Sequence, residues 1–168
     1  TGIRDSITGS EIEYAYDAAS RLQILKTQWP GQASRETRYT YGSLGELKNV
    51  TDPEGVVTSF EYDKAGRLTR EQRSNLTESV YSYNSAGLME SIILRNSETD
   101  EIFRAFGYIY DKAGRRTFQV EENGGITAYT YDPAGRLKDV LYPFNSGKPE
   151  ADFKERANLG FYTAGTPS

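Results

Sequence analysis

Four aspartates that directly follow a tyrosine each stand four residues ahead of an arginine: Asp17/Arg21, Asp63/Arg67, Asp111/Arg115 and Asp132/Arg136. Such pairs admit two chemistries. They can line up as a ladder of ligand-binding groups, or they can be a repeated structural pair whose arginine stems cover neighbouring tyrosine rings. Recurrence favours the structural reading, because residues repeated in every unit usually serve the unit's own packing. A single exposed pair contributes only about 0–1 kcal/mol. The neighbouring acids Glu121-Glu122 and Asp52/Glu54 fall in turn-like sequence and read as solvated. His and Cys are both absent. That removes His-based triads, imidazole and thiolate metal ligands, and disulfides. No Gly-rich phosphate loop, metal-ligand spacing or nucleophile elbow occurs either. No catalytic activity, metal or cofactor is expected of this segment.

Each Asp–Arg pair sits inside a longer phrase. Tyr14-Ala15-Tyr16-Asp17 runs to Arg21-Leu22, and Phe60-Glu61-Tyr62-Asp63 runs through Gly66-Arg67 to Leu68. Tyr108-Ile109-Tyr110-Asp111 runs through Gly114-Arg115 to Arg116, and Tyr129-Thr130-Tyr131-Asp132 runs through Gly135-Arg136 to Leu137. Two worn copies, Tyr39-Thr40-Tyr41-Gly42 to Glu46-Leu47 and Tyr81-Ser82-Tyr83-Asn84 to Leu88-Met89, complete a set of six. Their second tyrosines are spaced 25, 21, 21, 27 and 21 residues apart. A period in that range marks a repeat architecture.

Residues two apart share a face of a strand, so Thr58, Phe60 and Tyr62 point one way and the paired tyrosines of the other copies do likewise. The following Asp-x-x-Gly reads as a type I turn with a bulge, glycine supplying the positive φ. A second strand follows, such as Leu68-Thr69-Arg70-Glu71. Each phrase is therefore a predicted β-hairpin. Links between hairpins, such as Trp29-Pro30-Gly31-Gln32, Asp52-Pro53-Glu54-Gly55 and Glu122-Asn123-Gly124-Gly125, carry turn residues of their own. The insertion Asn96–Glu101 accounts for the longest step.

The repetition predicts an all-β fold: an antiparallel meander of tandem hairpins in a curved or spiralling sheet. Residues 1–141 hold the repeats, with a partial one at Ile3–Ile7, and residues 142–168 read as a degenerate repeat or C-terminal tail. The chain begins in mid-array and reads as part of something longer. A net charge of −4 and a pI near 5.0 argue against an electrostatic nucleic-acid footprint. No apolar run approaches the ~20 residues of a membrane helix.

The six phrases and the interposed Asp-Pro-x-Gly turn resemble the YD repeats of the Rhs family, over roughly residues 3–141. That family includes large bacterial secreted proteins, among them polymorphic toxins, wall-associated proteins and the C components of insecticidal toxin complexes, and the animal teneurins. The resemblance implies a β-strip that spirals into a hollow shell around a C-terminal effector, with the other repeats of the parent chain and that effector as partners. It implies a secreted or cell-surface location in a bacterium. The family's autoproteolytic aspartate segment has no match here.

Two functions follow. One is wall material for an enclosing shell or extracellular scaffold. The other is a carbohydrate-binding or adhesive module presenting Tyr, Asp and Arg to glycans. Self-association through exposed sheet edges is a third route to partners. Solvent-exposed tyrosines sharing one groove would favour the second function.

Overall fold

A computed structural model describes residues 2–4 and 9–142. The expected tail beyond Tyr142, and Asp5 to Ile7 of the partial first strand, lie outside the described residues. Those described form thirteen β-strands, with no helix among them. The strands group into two compact units, residues 1–77 and 78–168.

The first unit carries β1 (Gly2–Arg4), β2 (Glu11–Tyr16), β3 (Leu22–Gln28), β4 (Arg35–Tyr41), β5 (Leu47–Thr51), β6 (Val57–Tyr62) and β7 (Leu68–Arg73). Each pairs antiparallel with the next in chain order. The register sets Tyr14 opposite Leu25, Tyr39 opposite Val50 and Val50 opposite Thr58, so tyrosines and aliphatic residues of alternate hairpins share one face. No described residue of this unit is fully buried. A single sheet layer shields side chains only by their neighbours.

The second unit carries β8 (Thr77–Tyr83), whose first residue still belongs to the first unit, then β9 (Met89–Asn96), β10 (Ile102–Tyr110), β11 (Arg116–Glu121), β12 (Ile126–Tyr131) and β13 (Leu137–Leu141). They too follow chain order. Here a small core exists: Ala105, Val120 and Ile126 are buried, with Ile93, Ile102 and Phe118 packed against them. The pairs Ile93↔Ala105, Gly107↔Val120 and Val120↔Ile126 place this cluster on one face. Strand alternation then turns Tyr108, Tyr110 and Tyr129 to the other face. Glu78 is 2% exposed and accepts a 2.6 Å bond from Arg95 Nε. Arg95 Nη1 also reaches Asp100 at 3.1 Å, which ties down the Asn96–Glu101 insertion.

Candidate functional site

The recurrent site is the phrase turn, and its geometry repeats closely. In the third copy the Asp63 N–H donates to the Arg67 carbonyl at 2.9 Å, and the Gly66 N–H donates to the Asp63 carbonyl at 3.0 Å. Asp63 Oδ1 accepts the N–H groups of Ala65 and Arg67 at 2.8 and 3.0 Å. Asp63 Oδ2 accepts Arg67 Nε at 2.7 Å, with Nη2 at 2.6 Å. One carboxylate thus closes the turn and holds the guanidinium beside it. The same four contacts recur from Asp17 to Arg21 and from Asp111 to Arg115. Asp132 likewise binds the Arg136 N–H and Nε.

The glycine of each turn stands at positive φ: 78° at Gly66, 77° at Gly114 and 80° at Gly135. In the first copy Ser20 holds that position at 61°. The strand register then slips by one residue where the second tyrosine of the phrase pairs, as at Glu61/Tyr62 and Thr130/Tyr131. That is the bulge of a three-residue hairpin loop.

These contacts depress the aspartates. Side-chain bonds from Arg21 and Arg67 hold Asp17 and Asp63 below the usual carboxylate range. For Asp111 and Asp132 the backbone N–H of Arg115 or Arg136 is the leading cause, with the guanidinium second. Glu122 is also lowered: burial opposes its ionisation, but the Ala105 N–H and Arg104 outweigh it. None of this is poised for proton transfer near neutral pH.

The arginines reach beyond their own turns. Arg21 lies over the Tyr41 ring, 4.5 Å from its centroid, and Arg115 over the Tyr131 ring at 4.8 Å. The same tyrosines reach back. Tyr41 Oη donates to the Leu22 carbonyl, Tyr131 Oη to the Arg116 carbonyl and Tyr110 Oη to the Met89 carbonyl, each at 2.7 Å. The first, fourth and fifth phrases are therefore clasped by the next: Arg21 and Arg115 are capped by the following ring, and the strands leaving all three phrases are tied by the following hydroxyl. Exposure agrees. Arg21 and Arg115 are 34% and 38% exposed, whereas Arg136, the arginine of the last described phrase, is 82% exposed. These clasps were not legible as single motifs, since they join residues 15 to 21 apart. The repeat period was their one sequence signal.

The worn copies are repaired. Asn84 Oδ1 accepts the N–H groups of Ala86 and Leu88 at 3.0 Å, as the aspartates do, and Leu88 takes the arginine's place. Gly42 has no side chain, but Glu46 folds back and its Oε2 accepts the Leu44 N–H at 3.0 Å. A Cβ on Gly42 would stand 1.9 Å from Glu46 Oε1. The Glu46 carboxylate thus fills the space of the missing aspartate side chain.

Among the first tyrosines of the phrases, Tyr14, Tyr39, Tyr81, Tyr108 and Tyr129 are half-buried, as are Tyr41, Tyr62, Tyr83, Tyr110 and Tyr131 among the second. Burial raises Tyr62, Tyr108 and Tyr110 above the ordinary phenol range; Glu46 adds to this at Tyr62, and Arg116 opposes it at the other two. Arg116, standing where most copies have leucine, lies between the rings of Tyr108 (5.3 Å) and Tyr129 (4.6 Å). Tyr16 and Tyr142 are the exposed tyrosines among the described residues, at 52% and 63%. They lie in different units. No cluster of three or more acidic or imidazole groups suited to a metal occurs among the described residues.

Comparison with known proteins agrees with this architecture. The family model for the RHS repeat matches residues 43–75 and 110–144. The chain is 35% identical over 60 residues to double-stranded DNA deaminase toxin A of Burkholderia cenocepacia, a stretch covering 36% of this chain and 4% of that protein. It is 43% identical over 51 residues to the tRNA3(Ser)-specific nuclease WapA of Bacillus spizizenii, covering 27% of this chain and 2% of that one. The chain thus spans only a few per cent of these relatives. Among solved structures, TcdB2-TccC3 without its hypervariable C-terminal region aligns with TM-score 0.67 at 20% identity, covering 80% of this chain and 8% of that one. The Tc holotoxin pore of Photorhabdus luminescens aligns with TM-score 0.68 at 20% identity, covering 83% and 8%. At that identity the likeness is one of fold.

Proposed function

Because this chain carries RHS repeats, we propose that it is wall material: a structural run of hairpins in a β-shell that encloses a toxic or effector cargo within a larger secreted bacterial protein. The clasp between successive phrases carries this reading. In the first and fifth phrases the aspartate and arginine are engaged with each other and with the tyrosine of the next phrase, as a wall requires and a free ligand face does not. The weak burial of the first unit fits the same role, since each hairpin depends on its neighbours rather than on a core of its own. The catalytic functions in the names of the matched toxins belong, on this reading, to parts of those chains outside the repeats. The segment itself is non-catalytic.

The test is limited proteolysis of the parent chain, with and without Tyr131→Ala. A wall protects downstream cargo in the parent and loses that protection when a clasp is cut, with unfolding of the repeats at a lower temperature. Cargo cleaved equally in both would overturn the enclosing role. A glycan-array screen of the segment tests the carbohydrate alternative; specific binding lost in a folded Tyr16→Ala variant would favour it instead.

A further inference from the structure

Two clefts on the described residues open between successive phrase turns, and in both the earlier phrase lacks its arginine. One runs from the Gly42–Glu46 turn to the Asp63–Gly66 turn, enclosing about 780 Å³. The other runs from the Asn84–Leu88 turn to Asp111–Gly114, enclosing about 350 Å³. At Arg21 and Arg115 the guanidinium fills the corresponding place. A Cβ on Gly45 would meet Arg21 Nη1 at 3.8 Å, and one on Gly135 would meet Arg115 Nη1 at 3.6 Å. In the smaller cleft Leu88 does the same work, its Cδ1 standing 3.6 Å from a Cβ on Gly114. Above Gly66 the seat is open: a Cβ there would meet no atom within 4 Å.

The walls of that open seat are nonetheless those of an arginine site. Tyr62 supplies the ring that Tyr41 and Tyr131 present to Arg21 and Arg115. Glu46 supplies a carboxylate in the space of the absent aspartate, with Oε2 engaged by the Leu44 N–H and Oε1 left to accept. Within one chain, the same kind of ring and carboxylate hold a guanidinium twice, at Asp17–Arg21–Tyr41 and at Asp111–Arg115–Tyr131.

We propose that the cleft between Glu46 and Tyr62 is a docking site for an arginine side chain of a peptide segment, which inserts its guanidinium between the Glu46 carboxylate and the Tyr62 ring. Leu44, 94% exposed at the rim, offers apolar surface to the guest's stem. Lys48 and Lys64 also line the cleft. Simple positive charge is therefore not what the seat selects; a planar fork that can stack and bond at once is, which favours arginine over lysine. The smaller cleft, with neutral Asn84 and its seat filled by Leu88, serves as an internal control. The proposal does not depend on the enclosing role.

The experiment is an NMR titration of the whole 168-residue chain with N-acetyl-arginine amide, and in parallel with N-acetyl-lysine amide. Saturable amide shifts at Leu44, Gly45 and Gly66 are expected with the arginine probe, weaker ones with lysine, and none at Asn84–Leu88. In Gly42→Asp/Glu46→Arg the chain supplies its own guanidinium, so the shifts are lost while thermal unfolding stays at or above that of the parent. Shifts spread equally over the Asp111–Arg115 turn, equal response to lysine, or binding retained in the folded double variant would each overturn the proposal.

Discussion

The Tyr41 hydroxyl donates to the Leu22 carbonyl at 2.7 Å, while Arg21, the residue just before Leu22, lies over the Tyr41 ring. One side chain thus serves the preceding hairpin through both its face and its tip. Tyr41→Phe keeps the face and removes the tip, leaving a half-buried carbonyl without this donor. The variant should lose about 1 kcal/mol in urea denaturation, and Tyr131→Phe should behave alike. Phenylalanine at full stability in both would show the hydroxyls to be idle.

Replacing Arg115 separates stacking from pairing. Arg115→Lys keeps the charge but loses the flat fork, and should cost roughly 0.5–1 kcal/mol. Arg115→Leu copies what the fourth phrase does at Leu88 and should be no worse. A double-mutant cycle with Asp111→Asn measures the pair itself. Coupling indistinguishable from zero would assign the arginine's value to the Tyr131 ring alone.

Ser20 is the one phrase-turn residue that takes the glycine position with a side chain, at φ 61°. Ser20→Gly should therefore stabilise the fold, by about 1 kcal/mol. Gly66→Ala should destabilise by a similar amount, for the strain of φ 78° alone, since a Cβ there meets no atom within 4 Å. A rise in midpoint for the first and a fall for the second, by chemical denaturation, is the expected pair of results.

The turn aspartates set the acid limit. Asp17, Asp63, Asp111 and Asp132 all have folded values below the ordinary carboxylate range. A depressed group contributes stability that is complete above its unfolded value, about 3.9, and is lost as pH falls through its folded value. Midpoint temperatures should hold from neutrality to about pH 4 and fall below it. Asp111→Asn retains an acceptor for the two N–H groups, as Asn84 does, and should flatten that fall. An unchanged slope would mean that other carboxylates govern it.

Glu46 and Gly42 should prove coupled. Gly42→Ala alone displaces the Glu46 carboxylate, because the added Cβ would stand 1.9 Å from Oε1. The carboxylate tip gives way easily, so the loss should be about 0.5–1 kcal/mol, that of its bond to the Leu44 N–H. Glu46→Ala made first should remove most of that penalty, which the same denaturation series would reveal as non-additivity.

The hairpins could be read from sequence because aspartate and glycine state their turn geometry locally: Oδ1 needs N–H groups two and four residues on, and glycine needs only its own φ. The strand faces followed from alternation, and the pairing order from the short links. What stayed hidden was relational. Nothing in Tyr-x-Tyr says that the second hydroxyl lands on a carbonyl of the preceding hairpin. Glu46 stands at the arginine position of its worn copy, and only its fold-back shows it replacing an aspartate. Arg116 takes the leucine position of its phrase, yet it lies between two rings. The division after Thr77 has no glycine- or proline-rich linker to announce it.

The clasp also has a direction in time. The ring and hydroxyl that secure the hairpins of Arg21 and Arg115 belong to the phrase made after each, so a growing chain completes these clasps only once Tyr41 or Tyr131 has left the ribosome. At these joints closure runs one phrase behind synthesis, and a chain stopped just short of Tyr41 or Tyr131 carries a hairpin that lacks its clasp.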